Sequence, residues 1–306
     1  MTRCTLRGES IPKIGLGTSR LSGAECVTTV ERALDLGYRF VDTARRYGNH
    51  AEVGEALERS PVDRDEVFLT TKIQRRNLRY NDVLAAAEDC LAELGVEYID
   101  LLLIHWPSRL VPVEETLAAM TRLKADGTVR HVGVSNFTRE GFADACDHAD
   151  LLANEVLYNA YKDQDALREF CVETDRLLVA YSPLAKGLVT RNPVVREIAW
   201  RHQRPPAQVA LRWLVQQANV VAIPKSTDPE HLRQNLAVFD FRLTGHEMER
   251  IAAVQGRPLI RLLHRLPSLV RSTPADTRGC QRKIDRHARV NYPTLTGSLV
   301  EGGACP

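Results

Sequence analysis

The chain of 306 residues holds no Cys-x-x-Cys pair and no cysteine cluster of metal-ligand spacing. Its seven cysteines (Cys4, Cys26, Cys90, Cys146, Cys171, Cys280 and Cys305) are odd in number and irregularly placed, which excludes a disulfide framework and reads as free thiols in a reducing compartment. No metal site is expected. Nowhere do about 18 apolar residues run uninterrupted, and Met1-Thr2-Arg3-Cys4-Thr5 opens no long apolar stretch. Neither membrane insertion nor export is indicated, and a cytoplasmic location is expected. Strong charge is missing too. A formal net charge of +2 gives no reason to invoke nucleic acid or an acidic membrane surface, so partners have to be argued from the site. Gly15-Leu16-Gly17 also lacks the third glycine that would open a helix in a dinucleotide fingerprint, which disfavours an open doubly wound sheet.

What is present is alternation. After a short opening hairpin, apolar runs of strand type occur at 14–17, 40–42, 67–72, 98–105, 129–134, 152–156, 177–181 and 220–224. Between and after them lie segments of helical period at 24–36, 52–58, 80–94, 113–125, 140–148, 164–173, 194–203 with 206–217, and 229–238. Gly37, Gly95 and Gly127 stand where helix C-caps prefer glycine. The strand runs are apolar at almost every position, as a parallel sheet covered on both faces requires. Eight such units predict an α/β fold of the (β/α)8 TIM-barrel class, with residues 1–256 as one catalytic and cofactor-binding domain. Residues 257–306 differ in kind. They carry eight Arg and one Lys against Asp276, Asp285 and Glu301, and broken periodicity predicts an atypical, poorly ordered C-terminal tail.

Chemistry gathers at the strand ends. Asp42, Lys72 and His105 each close an apolar run, and Tyr47 follows Asp42 by five residues. In a parallel barrel these positions share the C-terminal face, where active sites are built. A free tyrosine titrates near pH 10, so a phenol that protonates an alkoxide at neutral pH needs a cation beside it. Lys72 can supply that charge and lower the phenol pKa, Asp42 can hold the ammonium, and His105 can aim an N–H at a carbonyl oxygen. No side chain donates hydride, so a nicotinamide cofactor is expected. Ser135 and Asn136 can bond its carboxamide, Tyr181 can stack a flat ring, Ser182-Pro183-Leu184 can approach a pyrophosphate, and Lys225-Ser226-Thr227 precede a helix at a natural phosphate position.

The stretches GLGT at 15–18, VDTARRYGNHAEVGEAL at 41–57, TTK at 70–72, LLLIHWP at 101–107, GVSNF at 133–137, YSPLAKG at 181–187 and IPKS at 223–226 carry a resemblance. Over residues 14–240 the chain resembles the aldo-keto reductases, most closely their prokaryotic 2,5-diketo-D-gluconate and small-aldehyde reductase branch. The resemblance implies that Asp42, Tyr47, Lys72 and His105 form a catalytic tetrad, with Tyr47 as general acid. It implies cofactor contacts from Gly17, Thr18, Ser135, Asn136, Glu155, Tyr181, Ser182 and Leu184, and adenosine-side contacts from Lys225, Ser226, His231 and Asn235. Ser19 and Trp106 fall at the substrate pocket, and the tail after Gly256 does not resemble the family's C-terminal loop. Glu155 replaces the usual Gln, losing an amide donor, and His231 replaces an arginine that grips a 2′-phosphate. The expected cofactor is therefore NADPH, with NADH accepted.

The function expected is reduction of a small aldehyde, α-dicarbonyl or keto-sugar by a monomer. Two alternatives stand beside it: a nicotinamide-binding redox-sensing regulatory subunit of slow turnover, and a Schiff-base aldolase using Lys72. Blander roles are also open: Ser135-Asn136 could merely cap the helix beginning near Thr138, while Tyr38 and Tyr98 are expected as packing residues and Trp200 and Trp213 as core.

Overall fold

A computed structural model describes residues 2–254, so the expectations for 257–306 lie outside the described residues. An antiparallel hairpin, β1 (Arg3–Leu6) and β2 (Glu9–Pro12), comes first. Eight parallel strands follow: β3 (Leu16–Gly17), β4 (Phe40–Asp42), β5 (Phe68–Ile73), β6 (Ile99–Ile104), β7 (Val129–Ser135), β8 (Leu151–Leu157), β9 (Leu177–Tyr181) and β10 (Val220–Ile223). Each pairs with its neighbours in sequence, and Ile14 bridges Ala222 in parallel, bringing the first and last strands together. Gly15 N donates to Ala222 O at 2.9 Å and Gly17 N to Pro224 O at 3.1 Å along that seam. The architecture is a (β/α)8 TIM barrel, as the alternation predicts.

The helices are α1 (Gly23–Asp35), α2 (His50–Arg59), α3 (Tyr80–Leu94), α4 (Val113–Ala125), α5 (Arg139–His148), α6 (Asp165–Glu173), α7 (Pro193–His202), α8 (Pro206–Val215), α9 (Pro229–Leu236) and α10 (Gly245–Ala252). Helix α1 shows why they form: Cys26, Val27, Val30, Ala33 and Leu34 recur at helical spacing and all are buried. Helix α3 ends where Gly95 takes a left-handed φ of 64°.

Strand parity decides what faces inward. One cluster joins Phe40, Phe68, Leu101, Leu103, Ala153, Leu177, Val179, Val221 and Ile223 to Leu6 and Ile11 of the hairpin. These residues fill the barrel interior, and the hairpin packs against one end of it. The alternate residues Val41, Leu69, Leu102 and Leu178 belong to the larger cluster shared with the helices. Because side chains alternate along a strand, stepping two residues on from the interior layer reaches Asp42, His105, Glu155 and Tyr181. Thus the same register that buries Phe40 and Leu103 delivers polar groups to the C-terminal mouth. Gly15 belongs to this inner set as well, and a Cβ there would stand 2.8 Å from the Phe40 ring.

Two readings of the sequence need correction. Helix α10 lay beyond the periodic segments recognised, although Thr244 and Glu247 form a complete capping box at its start. Trp200 is 80 % exposed, whereas Trp213 is buried as expected. The buried face of α7 is Val195, Ile198 and Ala199, and Trp200 projects from the side shared with Arg196, four residues earlier. Tyr38 is buried and donates to Leu232 O at 3.0 Å, while the Tyr98 ring lies between the guanidinium groups of Arg64 and Arg130.

Candidate active site

Lys72 is completely buried near the mouth end of β5. Its ammonium donates to Asp42 Oδ2 at 2.5 Å and to Thr43 O at 3.0 Å, and lies 3.2 Å from Glu155 Oε2. Thr43 is itself fixed, its hydroxyl donating to Asn49 Oδ1, whose amide donates to Thr18 O and Leu21 O. Tyr47 ends a single 3-10 turn (Arg45–Tyr47) just after β4, which places its ring centroid 5.4 Å from Lys72 Nζ. The imidazole of His105 stands edge-on to that ring, with centroids 6.0 Å apart and planes at 86°. The four residues expected from strand ends are therefore gathered in one place.

Their electrostatics depart from the expectation at one point. Burial holds the Tyr47 phenol above its ordinary pKa near 10; Lys72 pulls it down only in part, and Asp42 and Glu155 push it further up. Desolvation and the second carboxylate, which residue spacing does not encode, outweigh the ammonium. The phenol accordingly keeps its proton at neutral pH. His105 is lowered to about 4, by burial first and then by Lys72 and Arg46, so its ring is neutral and carries one N–H. Lys72 is raised despite burial because Asp42 and Glu155 favour its charged form. An amine held charged, with protein oxygens around it, is not the free nucleophile that Schiff-base chemistry requires.

Glu155 is the unusual member. It is 2 % exposed, and its Oε2 has no hydrogen-bond partner among the described residues although Lys72 is within ion-pair distance. Burial, reinforced by the charge of Asp42, raises Glu155 well above the ordinary carboxylate range; Asp42 is raised too, by burial that Lys72 opposes. With two carboxyls around one ammonium, burial pushes both toward their protonated forms, and repulsion from Asp42 adds to the push on Glu155. Since the folded-state pKa of Glu155 lies above its unfolded value, its contribution to stability is full below about pH 4.5 and is lost as pH rises. The slope reaches about 1.4 kcal/mol per pH unit for one proton. Glu155→Gln removes this slope. Melting temperatures of the two proteins should diverge in favour of Gln as pH rises above about 4.5, and parallel curves would contradict the assignment.

The mouth holds a cleft of about 480 Å³. Asp42, Tyr47, His105 and Trp106 line it, with Gly17 and Ser19. Ser135, Asn136, Glu155 and Tyr181 line it as well, together with Ser182, Leu184 and Lys225. Asn136 has φ 64°; its amide donates to His105 O at 3.0 Å and Ser135 Oγ at 2.9 Å, and its Oδ1 accepts from Tyr181 OH at 2.8 Å. That network sets the angle of the Tyr181 ring. The alternative role of Ser135-Asn136 as a helix cap falls away, because Thr138 caps α5 by accepting from Gly141 N. Ser182, Ala185 and Lys186 all hold positive φ without being glycine, a strain characteristic of binding loops.

Some expected residues lie elsewhere. Thr18 is buried and donates its hydroxyl to Asp42 O at 2.9 Å, so its side chain braces the loop instead of lining the cleft. Ser226, His231 and Asn235 are not in the cleft lining. Ser226 Oγ accepts from Asp228 N, Asp228 caps α9 through Glu230 N and His231 N, and His231 is exposed while Asn235 is buried. Sequence reasoning missed Arg46, Gln74, Arg75 and Arg76, which with His105 and Trp106 line a second hollow. Arg-Arg pairs soon after two strands, at 45–46 and 75–76, were the available signal. Among the described residues no metal-holding group of His, Cys, Asp or Glu occurs, and no helix is long and apolar enough to cross a membrane.

A parallel barrel with this mouth defines an α/β enzyme class whose chemistry sits at strand C-termini. The chain belongs to the aldo/keto reductase family, whose model matches residues 13–255. An aldo-keto reductase of Mycolicibacterium smegmatis is 37% identical over 260 residues, covering 83% of this chain and 93% of that protein. A 9,11-endoperoxide prostaglandin H2 reductase of Trypanosoma cruzi is 39% identical, with 79% and 87% covered. A crystal structure provisionally named a 2,5-diketo-D-gluconic acid reductase B shares 39% identity at TM-score 0.82, covering 84% of this chain and 93% of its own. The aldose reductase of Schistosoma japonicum superposes at TM-score 0.79 with 32% identity, covering 84% and 94%. The family performs carbonyl reduction with NAD(P)H, and this chain is an oxidoreductase of that kind.

Proposed function

We propose that residues 1–256 reduce small aldehydes, α-dicarbonyls or keto-sugars of the 2,5-diketogluconate type to alcohols, with NADPH preferred, NADH accepted and Tyr47 as proton donor. The protein works as a cytoplasmic monomer. One observation carries the reading: a buried ammonium, pinned by Asp42, lies 5.4 Å from the ring of a cleft-lining phenol that also faces a neutral histidine. The likeness to the structure named for 2,5-diketo-D-gluconic acid supports the keto-sugar end of the substrate range.

The cleft suits a nicotinamide. The Glu155 carboxyl, which accepts no hydrogen bond at Oε2, and the polar groups of Ser135 and Asn136 can meet a carboxamide, and Tyr181, its hydroxyl fixed by Asn136, offers a flat platform. A protonated Glu155 can also restore the donor that a Gln would supply. Bound there, reduced nicotinamide supplies the hydride. His105 donates its N–H to the substrate carbonyl oxygen, orienting and polarising it. Tyr47 then gives its proton to that oxygen as negative charge builds on it. Lys72 stabilises the phenolate left behind, and Asp42 keeps Lys72 in place. A phenol that holds its proton until that moment is the form a general acid needs.

On the adenosine side, Lys225 and Ser226 approach α9, but Asp228 already occupies its first N–H groups and His231 cannot fork as arginine does. Steady-state turnover of methylglyoxal should therefore proceed with both cofactors. A kcat/KM ratio favouring NADPH by less than about 10³ fits this account, and a larger one would oppose it. Failure to turn over any carbonyl substrate, with nicotinamide still bound tightly, would favour the regulatory-subunit alternative.

A further inference from the structure

The second hollow, of about 450 Å³, adjoins the cleft and shares His105 and Trp106 with it. Three guanidinium groups, Arg46, Arg75 and Arg76, make its wall, and no Asp or Glu does. Several other arginines of the barrel, including a neighbour in sequence, are matched to acids. Arg45, next in sequence to Arg46, pairs with Asp89 at 2.7 Å and Glu93 at 3.0 Å, and Arg39, Arg59, Arg64, Arg122 and Arg250 have carboxylate partners too. Among the described residues, no carboxylate lies within ion-pair distance of Arg46, Arg75 or Arg76. Arg75 instead sits over the Trp106 ring, 6.0 Å from its centroid.

Position turns this charge into chemistry. Arg46 immediately precedes Tyr47, and Arg75 and Arg76 lie in the turn Arg75–Asn77 directly after the strand that carries Lys72. All three arginines are exposed to solvent, and the hollow they line shares His105 and Trp106 with the cleft. Guanidinium groups recognise planar carboxylates and phosphates through paired, charge-assisted N–H bonds.

We infer that the Arg46, Arg75 and Arg76 hollow binds an anionic group on the substrate, so that the preferred substrates are small carbonyl compounds bearing a carboxylate or phosphate. The inference rests on the reductase reading above and adds to it the group by which substrate is chosen. Trp106 covers the carbon chain between the anion and the carbonyl at His105.

Matched pairs test it with the holoenzyme: succinic semialdehyde against its methyl ester, and glyceraldehyde 3-phosphate against glyceraldehyde. The charged member of at least one pair should have a kcat/KM higher by about tenfold to a hundredfold, expressed mainly in KM, as one or two charge-assisted bonds provide. The pair that shows the preference identifies the anion as carboxylate or phosphate. In the double variant Arg75→Gln/Arg76→Gln that ratio should collapse toward one. Ratios near one in the wild type, or a preference that survives the double variant, would overturn the inference while leaving the reductase reading intact. Absence of turnover on all four compounds and on methylglyoxal would instead sink the reductase reading, and the inference with it.

Discussion

Tyr47→Phe should lower kcat by about 10²- to 10⁴-fold, the range supplied by a positioned general acid, while nicotinamide affinity changes little. The ring stays, so its edge-on contact with His105 at 6.0 Å and its place over Lys72 are kept. What goes is the proton. Ser135, Asn136, Glu155 and Tyr181, proposed to hold the nicotinamide, come from other parts of the barrel, and none of the hydrogen bonds among them involves Tyr47. Fluorescence titration with NADPH alongside steady-state assays separates the two effects. A variant that lost binding and turnover in equal measure would assign Tyr47 to the scaffold.

Lys72→Met should be more damaging, because the lysine serves both stability and chemistry. Met replaces the stem but leaves Asp42 Oδ2, Thr43 O and Glu155 Oε2, all in buried residues, facing no cation. Removing one partner of a buried ion pair costs roughly 3–5 kcal/mol, part of which protonation of the second carboxyl recovers. Turnover should fall at least as far as in Tyr47→Phe, since no charge remains to stabilise the departing phenolate. Denaturant unfolding and a methylglyoxal assay on the same preparation check both halves. Wild-type stability together with wild-type turnover would show that the ammonium does neither job.

The barrel was legible in the sequence because burial on two faces leaves strands apolar throughout and helices amphipathic, and eight repeats of that contrast admit few architectures. Asp42, Lys72 and His105 were legible for the same reason: a polar residue closing an apolar run has nowhere to go but the mouth. Glu155 was not visible this way. It sits inside β8, and only the register that aligns it with Ser135 and Val179 shows that its carboxyl reaches Lys72. The phenol's acidity was misjudged because desolvation is a property of the packed site and no spacing of residues encodes it. Trp200 shows the limit of composition: a tryptophan among apolar neighbours faces water when it lies one residue off the buried stripe. The arginine hollow needed coordinates, since Arg45 and Arg46 look alike in sequence and only one of them meets acids.

Single-turnover stopped flow addresses the proton transfer itself. Enzyme loaded with NADPH is mixed with excess methylglyoxal, and loss of the reduced nicotinamide's near-ultraviolet absorbance is followed for wild type and Tyr47→Phe. The account predicts a fast decay in wild type and one slower by about a hundredfold or more in the variant, because the developing alkoxide finds no proton. Equal rates in the two proteins would contradict it.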